Sequence, residues 1–219
     1  MENEIILIDK PEGVTSFGVV ARVRRVLSER EGKKVKVGHT GTLDPFATGL
    51  LILLVGKATK RSNEFLKLDK EYIAEIKLGE TSTTGDPEGE VQKSYSGEVP
   101  DFEEVKKVVQ SFTGEIWQKV PAFSAVKVNG RRAYEMARKG MEVETPTREV
   151  TIYKIEILEY DYPKLVIRTE VSSGTYIRTL GEDIGVKLGT GAYLTVLRRT
   201  KIDKYKVEEA VSLEEFMKN

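Results

Sequence analysis

Six consecutive apolar residues, Leu50-Leu51-Ile52-Leu53-Leu54-Val55, constrain the fold of this chain more than any other stretch. The run has the length of a buried core strand and is far too short to span a membrane. Directly before it lies Gly41-Thr42-Leu43-Asp44-Pro45-Phe46-Ala47-Thr48-Gly49, where Asp44 is the only charge between two glycines. Pro45 biases Asp44 toward an extended backbone, and the glycines allow angles and close approaches that other residues resist. A carboxylate on a shaped loop anchored by a core strand is how a reactive acid is commonly presented. The same residues also suit a plain Asp-Pro turn, in which the side chain bonds to its own backbone.

The 219 residues are enough for one large domain or two small ones, and 39% hydrophobic content without low-complexity tracts predicts a folded globular protein. The acidic start Met1-Glu2-Asn3-Glu4 is not that of a signal peptide. With no cysteine there is no disulfide and no thiolate metal site, and a cytoplasmic monomer is expected. The single histidine, His39, rules out His-pair metal sites and argues against a hydrolytic triad. Ser124 therefore has no histidine partnership of the hydrolase kind. The segment Gly49 to Lys57 has the wrong spacing for a phosphate loop, with Ala58 where Ser or Thr is needed. Formal net charge is zero, yet basic residues cluster at 22–36, 131–139 and 198–201 while acids gather at 80–104. Such separation can steer a polyanion despite the balanced sum, although each cluster alone also suits a solvated helix surface.

Period and punctuation predict strands at 5–8, at Val35 and Val37, and at 50–55, 72–78, 148–159, 164–172 and 192–199. Helices are predicted from Thr15 or Ser16 to Glu31, from Lys57 toward Leu66, from an Asp101 cap through Ser111, over 133–138, from Thr175 to Leu188, and from Ser212. The uneven order predicts an α+β fold with a mixed, mostly antiparallel sheet flanked by helices. It reads as one catalytic domain over 1–219 with a loop insertion at about 118–141. Arg178 falls in the first turn of a predicted helix, where the helix dipole disfavours a cation, so an acidic partner is expected.

Several segments in order resemble the tRNA pseudouridine-55 synthases, the TruB family of pseudouridine synthases. They are Leu7-Ile8-Asp9-Lys10-Pro11-Glu12-Gly13-Val14-Thr15-Ser16, Gly38 to Gly49, and Lys70-Glu71-Tyr72 through Gly79. Thr84-Gly85-Asp86-Pro87-Glu88-Gly89, Pro121 to Lys127, Arg132 to Gly140, Ser173 to Leu180, and Gly191 to Thr200 complete the set. The resemblance runs from Ile5 to the C-terminus. It implies the pseudouridine synthase fold with an RNA-gripping insertion, tRNA through its T-arm as partner, no membrane, and no metal or cofactor. The implied reaction flips a uridine out of the T-loop, breaks its glycosidic bond and rejoins the base through C5. Asp44 is then the nucleophile, whether it attacks the sugar, attacks the base or removes a sugar proton. Arg178 is its expected counter-ion, oriented by Asp86, which would equally suit an ordinary Asp-Pro turn. Tyr72 is expected to stack on the base and help remove the C5 proton, over an apolar floor at Leu197. His39 is expected to pack into the RNA loop. Lys127, Arg131 and Arg132, with Lys10 and Arg199 nearby, are expected to bind phosphates. The small PUA-type domain that follows in many members is not recognisable before Asn219. Two alternatives are a non-catalytic tRNA-binding or folding module and a guide-RNA-dependent synthase. The intact Asp44, Tyr72 and Arg178 set argues against the first, and the RNA-gripping insertion against the second.

Overall fold

The computed structural model describes residues 3–128 and 130–218. β1 (Asn3–Lys10) leads through a turn into α1 (Ser16–Glu31). Thr15 caps α1 by accepting from the Gly18 N–H at 2.9 Å, and Gly32 ends it in the left-handed region at φ 63°. β2 (Val37–His39) and β3 (Thr48–Gly56) flank the Asp44 loop. A 3-10 turn (Lys57–Arg61) and α2 (Ser62–Leu66) replace the single helix predicted there, and neither start has a capping side chain. β4 (Lys70–Leu78) is followed by a small hairpin, β5 (Glu80–Ser82) with β6 (Val91–Lys93). Asp101 caps α3 (Phe102–Gln110), accepting from the Glu104 N–H at 2.8 Å. β7 (Gly114–Lys119) precedes a second hairpin, β8 (Lys127–Val128) with β9 (Arg131–Arg132), and then α4 (Ala133–Ala137). β10 (Thr147–Asp161), β11 (Lys164–Val171) and α5 (Ile177–Lys187) come next. β12 (Ala192–Ile202), β13 (Tyr205–Lys206), a 3-10 turn, β14 (Val211–Ser212) and α6 (Leu213–Lys218) follow.

The fold is α+β, with mostly antiparallel strands flanked by helices; β1 with β14 and β3 with β12 are parallel. Residues up to Ile73 together with those from Val196 form one compact unit, and Ala74–Thr195 form a second. No helix among the described residues is long and apolar enough to cross a membrane.

In the first unit the order is β14-β1-β3-β12, and β3 explains the unbroken apolar run. Leu51, Leu53 and Val55 pack with Val19, Val20, Val23 and Leu27 of α1 and with Leu213 of α6. Leu50, Ile52 and Leu54 pack on the other side with Ala58, Phe65, Ile202 and Val207. A strand buried on both faces has no polar parity to show. Gly49 lies opposite Arg199 at φ 103°, and a Cβ there would fall 2.2 Å from the Arg199 carbonyl oxygen, so only glycine allows this approach.

In the second unit β11, β10 and β7 form an antiparallel run, with two bulges on β10. β7 is not predicted from the sequence. Its buried residue is polar: Gln118 accepts from the Tyr176 N–H at 3.0 Å and donates to the Tyr176 carbonyl at 3.2 Å. Its tryptophan, Trp117, is exposed. Hydrophobic period carries no signal there.

Candidate active site

The Asp44 loop is fastened at nearly every residue around the half-buried carboxylate. Ser16 donates its hydroxyl to the Leu43 carbonyl at 2.9 Å and accepts from the Leu43 N–H at 2.8 Å. The Pro45 carbonyl accepts from the Gly13 N–H at 2.8 Å and from the Lys10 ammonium at 3.1 Å. The Ala47 N–H closes a turn on the Asp44 carbonyl at 3.1 Å. Upstream, the Thr40 N–H donates to Ile52 at 3.1 Å, and the Gly41 N–H reaches His39 Nδ1 at 3.4 Å. Asp44 is therefore presented by a rigid loop bolted to the start of α1 and to β3, rather than by a free turn.

Lys10 and Arg199 differ from the phosphate-binding role expected of them. Both are fully buried. Lys10 spends its donors on the carbonyls of Pro11, Val14 and Pro45 at 2.8, 2.6 and 3.1 Å. Arg199 donates Nε to Leu50 at 2.7 Å and Nη2 to Gly41 at 3.1 Å. Their charges hold main-chain oxygens, of which the Pro45 and Gly41 carbonyls belong to the loop, and both side chains are withdrawn from solvent. Arg198 points the other way and makes a two-pronged ion pair with Asp9 at 2.7 and 3.1 Å.

A third buried cation, Lys70, opens β4. It donates to the Leu66 carbonyl at 3.1 Å and to the Leu68 carbonyl. A methyl group at Gly41 would sit 3.6 Å from an Arg199 guanidinium nitrogen and 4.0 Å from Lys70 Cε, so both cations back the loop at this point. Burial, with the Arg199 charge beside it, pushes the Lys70 ammonium down to about 8 from 10.5. The signal was legible: Lys70, Tyr72, Ala74, Ile76 and Leu78 share the buried parity of β4. Tyr72 and Leu197 are also nearly buried, on the neighbouring strands β4 and β12.

In the second unit Arg178 has the acidic partner its helix position demands. Its Nη1 lies 3.4 Å from Asp86 Oδ2, and both side chains are almost fully buried. Nη1 also donates to the Thr84 carbonyl and Nη2 to the Phe123 carbonyl, each at 2.8 Å. The other Asp86 oxygen accepts from the Thr84 hydroxyl at 2.5 Å and the Glu88 N–H at 3.1 Å. Asp86 is thus an Asp-Pro turn and an arginine anchor at once. Glu182, not singled out from the sequence, packs against the same turn. A Cβ at Gly85, which has φ 71°, would lie 2.9 Å from its carboxyl carbon. Burial pushes the Glu182 carboxyl up to about 6 against the opposing pull of Arg178.

The β8–β9 hairpin gathers the remaining predicted cations. Lys127 pairs with Arg132 and Val128 with Arg131, and all three basic side chains are exposed. Like charges directly across a ladder repel, a cost that a bound polyanion would relieve.

With this geometry in view, the comparisons decide the family. Residues 24–177 match the model described as TruB family pseudouridylate synthase (N terminal domain), and residues 178–219 match the tRNA pseudouridylate synthase B C-terminal domain. The chain belongs to the TruB family of pseudouridine synthases. The tRNA pseudouridine synthase B of Aquifex aeolicus is 49% identical over 97% of this chain and 72% of its own length. That of Phocaeicola vulgatus is 47% identical over 98% of this chain and 92% of its own. Among solved structures, the crystal structure of a Cbf5-Nop10-Gar1 complex matches with a TM-score of 0.75 at 33% identity, over 98% of this chain and 53% of that one.

Proposed function

We propose that this enzyme converts uridine to pseudouridine at position 55 in the T-loop of tRNA, with Asp44 as its nucleophile. The reaction breaks the C1′–N1 bond and forms C1′–C5. C5 loses a proton and N1 ends protonated, so no atom is gained or lost. The observation that carries the reading is the TruB-family Gly41–Gly49 loop, whose main chain on either side of Asp44 is held by Ser16, Gly13, Lys10 and Arg199. Preorganisation of this kind places a nucleophile without a reorganisation cost during reaction.

A uridine stacked in an RNA loop must be extruded before it can react. Tyr72 stacks on the flipped base and its hydroxyl serves the C5 proton, and Leu197 forms the apolar floor. Arg178, anchored by Asp86, supplies a buried positive charge. Lys127, Arg131 and Arg132 grip phosphates, and His39 packs into the opened loop. Lys10 and Arg199 serve the loop and not the RNA. A stand-alone enzyme is favoured over one that works with protein partners by 47% identity over 92% of a tRNA pseudouridine synthase B, against 33% over 53% of the chain matched in the Cbf5-Nop10-Gar1 complex.

Incubation with an unmodified tRNA transcript, followed by mapping of pseudouridine, tests the proposal. One modified site in the T-loop is expected. Asp44→Asn should give no turnover while binding tRNA within about threefold of wild type, since the amide is near-isosteric but not anionic. No modification by wild type, or turnover by Asp44→Asn, would overturn it.

A further inference from the structure

The exposed face of α1 has no role in the loop, the ion pairs or the hairpin. Phe17 is 65% exposed at the first turn of this helix. Among the described residues it stacks on no other ring and no guanidinium. Burying a phenylalanine elsewhere would be favourable, so an exposed one has a surface to meet or is tolerated idly.

Its neighbours favour the first alternative. Helical spacing puts Ala21, Arg24 and Arg25 on the same side as Phe17. No acid occurs in α1 before Glu29, so the half nearest Asp44 carries only positive charge. Arg24 meets no carboxylate among the described residues. Arg25 reaches Glu29 only at 4.0 Å with both side chains largely exposed, a contact worth little. Arg30, by contrast, is engaged with the Phe216 ring and carbonyl of α6. The position is also fixed: Ser16, the residue before Phe17, is the one that clamps Leu43 beside Asp44. A bare aromatic ring beside guanidinium groups that meet no carboxylate closer than 4.0 Å, one residue from the clamp of the reactive loop, matches what single-stranded RNA recognises.

We propose that the outer face of α1 is a second RNA contact surface, on which Phe17 stacks against an unpaired base and Arg24 and Arg25 take backbone phosphates of the tRNA substrate. It rests on the reading of the enzyme as a tRNA pseudouridine synthase. The surface adds affinity and leaves the chemical step to the Asp44 loop.

The test measures the affinity of unmodified tRNA across a salt series for wild type, Phe17→Ala, Phe17→Trp and the double variant Arg24→Ala/Arg25→Ala. Thermal melts check that these surface changes leave the fold intact, and pseudouridine formation by wild type is followed in parallel. Phe17→Ala should weaken binding about tenfold, and Phe17→Trp should restore it. The double variant should lower the log–log salt slope by about 1.4–1.8, the release expected of two phosphates. Single-turnover rates at saturating tRNA should match wild type in all three. Wild-type affinity and slope in the variants, with an active wild-type enzyme, would overturn the α1 surface alone. A wild type that binds tRNA but forms no pseudouridine would overturn the functional reading, while the same affinities would still decide the surface.

Discussion

Two groups of cations in this molecule look alike in sequence and behave oppositely in structure. Lys10, Lys70 and Arg199 are buried behind the Asp44 loop and spend their donors on main-chain carbonyls. Lys127, Arg131 and Arg132 stand exposed on a two-stranded hairpin with like charges across its ladder. A buried cation is costly unless its donors are satisfied, and once satisfied it rigidifies what it touches. An exposed cation is cheap, mobile and available to a polyanion. The first group therefore backs the Asp44 loop, and we propose that the second holds the RNA.

The ion pair of the second unit follows the buried pattern and gives the largest expected effect. Arg178→Met strands the Asp86 carboxylate in a buried site and should cost roughly 3–5 kcal/mol of stability. Turnover should fall by several orders of magnitude with a smaller loss of tRNA affinity, as denaturant melts and single-turnover assays would record. A fully active, fully stable variant would mean that this pair supports neither fold nor reaction.

Arg199→Met should cost roughly 2–4 kcal/mol, because the Leu50 and Gly41 carbonyls lose their donor. Single-turnover rate should fall as the loop loosens, with the salt dependence of binding unchanged. A variant that is as stable as wild type but binds tRNA with a reduced salt slope would move Arg199 into the RNA-binding group.

Lys70 sharpens the comparison through pH. Its folded pKa is about 8 against 10.5 in the ordinary state, so between these values the unfolded chain binds more protons. Stability contributed at this site therefore rises with pH across the window from 8 to 10.5, by at most about 3 kcal/mol. The difference in melting temperature between wild type and Lys70→Met, followed from pH 7 to 10.5, should change in favour of wild type as pH increases. A pH-independent difference would show that Lys70 carries no such shift.

Much of this arrangement was legible in the sequence, and the failures share a cause. Periodicity and capping gave α1 with a cap at Thr15 or Ser16, of which Thr15 caps it, α3 with its Asp101 cap, and the β3 run. Helix-dipole reasoning called for the acidic partner that Arg178 has in Asp86. What escaped depends on contacts between residues distant in the chain. Ser16 reads as a helix cap, yet it bonds to Leu43, 27 positions away. Arg199 reads as a surface base, yet it donates to Gly41 across 158 positions. β7 escaped because its buried residue is a glutamine satisfied by Tyr176. Residue type announces what a side chain can bond to; only the register of distant strands decides which partner arrives.

The most direct test of the division between the two cation groups is the salt dependence of tRNA binding. The triple variant Lys127→Ala/Arg131→Ala/Arg132→Ala is compared with Arg199→Met and wild type from low to high ionic strength. The triple variant should lose about 0.7–0.9 of log–log slope per cation, about 2–2.7 in all, while keeping wild-type stability and single-turnover rate at saturation. Arg199→Met should keep the wild-type slope. An unchanged slope in the triple variant, or an equal loss in Arg199→Met, would contradict the account.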